Sequence, residues 1–174
     1  MFLDESGFLL IPNVRNTWAP RGRTPQLWHL YKRLRLSAIS ALTVSPSRRR
    51  MGLYARFHSA NITGLEVVTF LRHLLRHLRG PVALLWDGGP IHKRRCVQDF
   101  VRRHPRLRVH RFPAYAPELN PDEFVSAQAK RALSNSAPRS LRDLRGNVHR
   151  TIRKIRTSQA LLRSCVHASE LPWP

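Results

Sequence analysis

Acidic residues are scarce in this sequence. The 174 residues include 10 Asp and Glu against 31 Lys and Arg, which gives a formal net charge of +21. A chain this positive repels itself, and a polyanion would relieve that repulsion. Arg supplies 27 of the basic residues, and its planar guanidinium suits phosphate groups. A coding bias can turn Lys into Arg, but it does not explain the shortage of acids. Nucleic acid is therefore the leading candidate partner.

Cysteines are also few, and long apolar runs are absent. The two cysteines, Cys96 and Cys165, fit reduced thiols better than a disulfide framework or a zinc site. The longest apolar runs, such as residues 82–86, are too short to span a bilayer. The residues before Asp4 and Glu5 do not show the charged-then-apolar pattern of a secretion signal, so we expect none. A hydrophobic fraction of 42% is typical of a globular domain rather than a disordered basic tail.

The periodicity of the apolar residues predicts the order β-β-β-α-β-α-β-α-α. Alternating apolar positions predict a hairpin over residues 34–57, and spacings of three and four predict helices over 65–79, 92–104 and 141–155. The start signals Asn120, Pro121 and two acids predict a further helix over 120–133. The apolar run at residues 82–86 has the character of a strand buried on both faces. This order predicts a mixed α/β sheet with helices on its faces, and ligand sites in such sheets favour the carboxyl ends of central strands.

Three carboxylates occupy positions that suggest chemistry. Asp4 and Asp87 each follow an apolar strand, and Glu123 begins a helix after a proline-spaced loop. Converging carboxylates repel one another unless cations neutralise them, and hard divalent ions prefer oxygen ligands. Taken singly, Asp4 and Asp87 also fit turn residues, and Glu123 fits a capping box with Asn120.

The residues around these carboxylates resemble a known family. Residues 2–7 (Phe-Leu-Asp-Glu-Ser-Gly), 86–92 (Trp-Asp-Gly-Gly-Pro-Ile-His) and 115–123 (Tyr-Ala-Pro-Glu-Leu-Asn-Pro-Asp-Glu) are similar to the three motifs of DDE superfamily endonucleases and transposases. The similarity is strongest to the bacterial insertion-sequence transposases related to mariner elements. Residues 18–22 (Trp-Ala-Pro-Arg-Gly) resemble a segment that follows the first motif in these relatives.

The resemblance implies a ribonuclease-H-like fold with a mixed five-stranded sheet and helices on both faces. It also implies a DNA endonuclease and strand transferase that uses Mg²⁺ or Mn²⁺, with two ions. Asp4, Asp87 and Glu123 would be both the catalytic residues and the metal ligands. Glu5 and Asp122 are the neighbouring acids most easily confused with them, and Asp122 and Glu118 otherwise fit surface or helix-dipole acids.

Several positions depart from the family pattern. Gly88 stands where relatives often have Asn, and Ser126 stands where they often have Trp. We expect a catalytic domain over residues 1–135 and a basic helical extension packed on it over 136–174. We also expect the N-terminal helix-turn-helix domain of relatives to be absent, so that the chain is the catalytic half of a transposase.

The expected partners are DNA (element ends and target DNA), a second copy of the chain and a separately encoded helix-turn-helix part, but no membrane. The expected location is the bacterial cytoplasm, at the nucleoid. His92 fits either a surface histidine at a helix start or a group that orients a carboxylate. The candidate DNA contacts are basic or titratable residues near the hairpin tip and the motifs: Arg48, Arg49, Arg50, His92, Lys93, Arg94, Lys130 and Arg131.

Two other functions fit the same features. One is a non-catalytic, decayed transposase fragment that only binds DNA. The other is a host nuclease of ribonuclease-H-like fold that hydrolyses DNA without joining it. In the catalytic case, we expect the three carboxylates to converge in one open cleft with a basic rim.

Overall fold

A five-stranded sheet in the order β3-β2-β1-β4-β5 forms the centre of the chain. It is seen in a computed structural model that describes residues 1–47 and 49–172. The strands are β1 (Phe2–Leu9), β2 (Arg35–Val44), β3 (Met51–His58), β4 (Val82–Trp86) and β5 (Leu107–Arg111). Strands β1, β2 and β3 pair in antiparallel fashion, and β4 and β5 continue the sheet parallel to β1.

Five α-helices cover the sheet. They are α1 (Gly64–His77), α2 (Arg95–Arg102), α3 (Pro121–Ala132), α4 (Leu141–Thr157) and α5 (Gln159–His167). Polar caps explain where several of them begin: Thr63 and Glu66 form a capping box on α1, and Ser140 accepts a hydrogen bond from the Asp143 N–H on α4.

The sheet separates two apolar layers because successive side chains of a strand point to opposite faces. Ile39 on β2 belongs to the layer with α1 and α2, whereas its neighbour Ala38 belongs to the layer with α3, α4 and α5. Leu3 lies in the first layer, so the next residue, Asp4, points toward α3. Helices on both faces confirm the predicted α/β class and mixed sheet.

The predicted elements are confirmed except at three places. Asp4, predicted to follow the first strand, lies inside β1, because the pairing of β1 with β2 continues without a break to Leu9. The second predicted helix begins at Arg95 rather than at His92, since residues 90–94 form turns. The helix α5 was missed because Ser158 ends α4 and caps a new helix, accepting a hydrogen bond from the Leu161 N–H. The boundary predicted at residue 135 stays a prediction, although the helices beyond it bury residues against the sheet.

No helix in the described part of the chain is both long enough and apolar enough to cross a bilayer. Cys96 and Cys165 are both free thiols. Arg48, predicted as a DNA contact, lies outside the described residues.

Helix α5 supplies core residues, so truncation of Leu162 will destabilise the whole domain. Leu162 is fully buried in the layer of α3, α4 and α5. We expect Leu162→Ala to lower the free energy of unfolding by about 2–5 kcal/mol in urea denaturation. The control Leu65→Ala removes a leucine that is 66% exposed on α1, and its effect should stay within about 0.5 kcal/mol. Equal effects of the two variants would show that α5 is not part of the core.

Candidate active site

A cleft of about 480 Å³ opens beside the inner strands β1 and β4. The side chains of Asp4, Asp87 and Glu123 all line it. Phe2 pairs with Leu85 in the parallel ladder, so Asp4 and Asp87 lie at the same level on adjacent strands. The three carboxylates predicted from the sequence therefore face one space, while Glu5 and Asp122 do not line it.

The expected basic rim is not found in the lining of this cleft. Its remaining lining residues are small, apolar or amide side chains from the loops after β4 and β5 and from the start of α3: Gly88, Gly89, Pro90, Phe112, Pro113, Ala114, Tyr115, Ala116, Pro117 and Asn120. Lys93 and Arg94 are exposed, but they come just after this lining segment. The titratable groups that line the cleft therefore include three carboxyl groups and no Lys or Arg.

Asn120 positions the start of α3 against β1. Its side-chain oxygen accepts a hydrogen bond from the Asp122 N–H at 3.1 Å, and its side-chain amide donates to the carbonyl oxygen of Leu3 at 3.3 Å. One side chain thus caps the helix and ties it beside Asp4. Pro121 follows at the first helical position, where its missing N–H costs nothing. Glu123 is delivered to the cleft by this arrangement.

Asp4 is a buried carboxyl group without a full set of partners. It is 8% exposed, and its Oδ2 atom has no hydrogen-bond partner. Burial is the largest cause that raises the pKa of Asp4 to about 8. The charges of Asp122, Glu123 and Glu5 raise the pKa in the same direction. Asp4 therefore lies where a bound cation would be strongly stabilised.

Asp122 is completely buried, so its prediction as a surface acid is wrong, whereas its place in the first turn of α3 is that of a helix-dipole acid. Its Oδ2 accepts a hydrogen bond from the Ser40 hydroxyl at 2.5 Å, while its Oδ1 has no partner. Burial raises the pKa of Asp122 to about 8, although the Ser40 hydrogen bond opposes the shift. The sequence held a signal for this burial, since Asp122 shares its helical phase with the buried residues Val125 and Ala129.

His92 joins the two carboxylate-bearing strands, and its prediction as a surface histidine is wrong. It is 3% exposed, with Nε2 3.1 Å from Glu5 Oε1 and Nδ1 2.9 Å from Asp87 Oδ1. Its ring stacks on Trp86 with centroids 4.1 Å apart and planes 3° apart. The reverse turn through Gly89 brings it there, because the His92 N–H donates to the Gly89 carbonyl oxygen.

The contacts of His92 set its charge and that of Asp87. Burial disfavours a charged His92, but the hydrogen bonds to Asp87 and Glu5 outweigh burial and raise its pKa to about 9. The hydrogen bond from His92 lowers the pKa of Asp87, with a further contribution from the Gly89 N–H. Asp87 therefore keeps its charge while being held at the edge of the cleft, and it also forms the turn contact expected of an Asp-Gly pair.

The three carboxylates of the cleft are of the chemical type that binds a hard divalent cation. Carboxylate oxygens are the ligands that Mg²⁺ and Mn²⁺ prefer, and the unpartnered Asp4 Oδ2 is an open position for one. Within residues 1–47 and 49–172, however, no three His, Cys, Asp or Glu side chains lie close enough together to share one ion. The cleft thus brings the predicted ligands to one space without gathering them around one point.

Of the two positions that depart from the family pattern, Gly88 lines this cleft and Ser126 lies within α3. A Cβ atom at Gly88 would meet no atom within 4 Å, so space does not exclude the Asn that relatives often have. Ser126 is 3% exposed and lies on the buried face of α3.

Known proteins share this architecture. The strand order, the two helical layers and the carboxylate cleft define a ribonuclease-H-like domain. A Mos1 transposase paired-end complex with its left transposon end matches with a TM-score of 0.62 and 18% identity, over 95% of this chain and 54% of that chain. The isolated catalytic domain of Mos1 mariner transposase matches with a TM-score of 0.52 and 16% identity, over 84% of this chain and 81% of that chain.

A simian T-cell lymphotropic virus intasome, in complex with a PP2A regulatory subunit, also matches, with a TM-score of 0.54 and 14% identity over 97% of this chain and 62% of that chain. At these identities the likeness shows the fold. The chain spans about half the length of the Mos1 transposase chains in the complexes it matches. No curated protein was found to match the sequence.

The sequence itself shows the family. The profile of the DDE superfamily endonucleases matches residues 1–145, which include all three carboxylate motifs. The chain belongs to the DDE superfamily endonuclease family, so the predicted family and fold class are confirmed.

The carboxyl groups at this site predict how stability depends on pH. The pKa of Asp122 is raised from 3.8 to about 8 by folding, so its contribution to stability is lost as the pH rises through this range. Asp4, shifted the same way, adds to the loss. We expect the metal-free protein to become less stable from pH 4 to pH 8 in urea denaturation with a chelator present.

Asp122→Asn, which cannot ionise, should weaken this pH dependence. The control Asp99→Asn changes an acid on α2, outside the cleft, and should leave the slope unchanged. A slope that is the same in both variants would contradict the assignment of the pH dependence to the buried carboxyl group.

Proposed function

We propose that the chain is a metal-dependent DNA endonuclease and strand transferase of a transposable element. It would cut phosphodiester bonds at the ends of the element and join those ends to target DNA. Family membership supports nuclease chemistry. The names of matching solved structures point the same way, since they describe Mos1 transposase with a transposon end and in a strand transfer complex.

The observation that carries this proposal is the buried, unpartnered carboxyl group of Asp4 among other carboxylates. A buried carboxyl group without a partner lowers the stability of the metal-free fold, and a cation bound there would offset this loss. The cofactors we propose are two ions of Mg²⁺ or Mn²⁺. Matching structures of the Mos1 catalytic domain are described with Mn and with Mg.

The three cleft carboxylates share one proposed role. Asp4, Asp87 and Glu123 would hold the metal ions. When bound, such ions stabilise the charge on a phosphodiester group and activate the attacking water or DNA 3′-hydroxyl. His92 keeps Asp87 ionised and oriented, and Asn120 keeps the start of α3 against β1.

The DNA grip would come from basic residues outside the cleft. Arg49, Arg50, Lys93, Arg94 and Arg131 are exposed, and Lys130 is half-buried. These residues stay predicted phosphate contacts, whereas His92 is too deeply buried to be a surface contact. These basic residues would hold the DNA backbone next to the carboxylate cleft. A second copy of the chain and a separately encoded helix-turn-helix part are also proposed as partners.

Metal-dependent nicking of DNA tests this function. The full chain is incubated with supercoiled plasmid and Mn²⁺, and nicked product is measured on gels. We expect nicking by the parent, and a loss of at least about 100-fold in Asp87→Asn, because an amide neither carries the charge nor binds the ion comparably. Asp99→Asn is the matched control and should nick at the parental rate.

Joining activity is measured separately with a labelled duplex that ends in a free 3′-hydroxyl group. Its covalent transfer into the plasmid is the expected result for a strand transferase. Nicking without transfer would favour the plain nuclease, and DNA binding with no nicking in any variant would reject catalysis by this chain.

A further inference from the structure

Strand β5 forms an edge of the sheet that the proposed catalytic site does not use. It ends the strand order β3-β2-β1-β4-β5, and it pairs with β4 on one side. The Val82 N–H donates to the carbonyl oxygen of Arg106, just before β5, and the Phe112 N–H, just after β5, donates to that of Trp86. Because successive residues of a strand direct their backbone groups to opposite edges, the even-numbered residues of β5 face β4. Val109 therefore directs its N–H and carbonyl groups away from the sheet.

The outward backbone groups of β5 can pair with another extended chain. Arg111 shares the orientation of Val109, and within residues 1–47 and 49–172 no hydrogen bond joins the backbone of either residue to a neighbour on this side. Such a row of N–H and C=O groups is a template for a further strand. A peptide that pairs there would gain affinity from its own backbone and specificity from pockets for its alternate side chains.

A groove of about 560 Å³ between β5 and α2 offers such a pocket. Its apolar lining comes from both elements and includes Val97, Val101 and Val109. Trp86 and His92 also line it, and each of them is 3% exposed. In an added strand, every second side chain would lie on the same face of the sheet as Val109. The groove therefore favours apolar residues at alternate positions of the peptide.

The charge around the groove selects acidic residues for the remaining positions. Arg102 and Arg111 line the groove, and Arg108 and His110 are exposed on the other face of β5. Arg102 is already paired with Asp99 on the same helix, which leaves the arginines of β5 for a partner. Opposite charges on adjacent strands attract when they lie side by side. The matching peptide thus alternates apolar residues toward the groove with acids toward Arg108 and His110.

A second copy of the chain and duplex DNA each fit this surface less well. Pairing of two β5 strands would set Arg108, His110 and Arg111 against the same residues of the other copy, and like charges across a strand pair are unfavourable. Duplex DNA satisfies the charge but not the strand edge, because phosphate oxygens only accept hydrogen bonds and leave the Val109 carbonyl oxygen unpaired. An acidic peptide satisfies the edge, the groove and the charge together.

We propose that β5 and the groove beside it bind an extended acidic peptide of a partner protein, which adds a strand to the sheet. This inference goes beyond the proposed function and does not rest on it, since the groove includes none of the three cleft carboxylates. His92 lines the groove and contacts Asp87, so the partner would be held next to the catalytic site.

Fluorescence anisotropy with a labelled peptide, Glu-Leu-Glu-Val-Glu-Leu-Glu, tests the charge and the alternation. We expect saturable binding by the full chain in the presence of a chelator. The variant Arg108→Glu/Arg111→Glu should bind at least about 10-fold more weakly, because like charges then face each other. The matched control Arg142→Glu/Arg153→Glu makes the same charge change at exposed positions of α4 and should lose less than about 3-fold. The block peptide Glu-Glu-Glu-Glu-Leu-Leu-Val has the same composition without the alternation and should bind the parent at least about 5-fold more weakly.

The strand edge is tested at Val109. Val109→Pro removes the outward N–H and leaves the ladder with β4 in place, so this variant should bind the alternating peptide at least about 5-fold more weakly. Val109→Ala keeps the N–H and should lose less than about 3-fold. Amide hydrogen exchange of the parent needs no variant, and the Val109 N–H should exchange more slowly when the peptide is bound.

Four results would overturn the inference: no binding of the alternating peptide by the parent, equal losses in the two arginine variants, equal affinity for the two peptides, or unchanged exchange of the Val109 N–H. A labelled duplex that loses affinity for Arg108→Glu/Arg111→Glu, when neither peptide binds the parent, would make this surface a DNA contact. A parental dimer that Val109→Pro dissociates would make it an interface between copies. Failure of the proposed function is a separate outcome, since the parent would not nick plasmid in Mn²⁺ while it still bound the peptide.

Discussion

Repulsion among carboxylates is the constraint on which the site depends. The chain has ten acids, and five of them lie in one linked group: Asp4, Glu5, Asp87, Asp122 and Glu123. In the same group a single side chain, His92, contacts two of the carboxylates. A protein with 31 basic residues could have neutralised this group with arginine. That the cleft lining includes neither Lys nor Arg indicates that its charge is kept for a ligand that is itself positive.

The fold places and maintains this group with few polar contacts. The sheet brings Asp4 and Asp87 level on adjacent strands, and Asn120 fastens the start of α3 to β1. The carboxyl groups differ in their preferred charge. The hydrogen bond from His92 keeps Asp87 ionised, whereas burial favours the neutral forms of Asp4 and Asp122 in the empty protein. The apolar layers on both faces of the sheet hold these elements in place. Packing, and not neutralisation by basic side chains, therefore opposes the repulsion among the carboxylates.

Much of this was readable from the sequence, and the exceptions have physical causes. Periodicity and caps predicted the strands and most helices, and the spacing of Asp4, Asp87 and Glu123 predicted that they share a cleft. Local patterns did not reveal that His92 is buried, since its position depends on contacts with Glu5, 87 residues away in sequence. Helix α5 was missed because one residue, Ser158, ends one helix and caps the next.

The central claim is that the carboxylates around Asp4 form a cation site, and calorimetric titration with Mn²⁺ tests it most directly. The account predicts saturable Mn²⁺ binding by the parent, a matching rise in thermal stability, and the loss of both in Asp4→Asn. In the absence of metal, Asp4→Asn should be at least as stable as the parent, because it removes a carboxyl group whose charged form is unfavourable. Mn²⁺ binding that is absent in the parent, or unchanged in Asp4→Asn, would contradict the account.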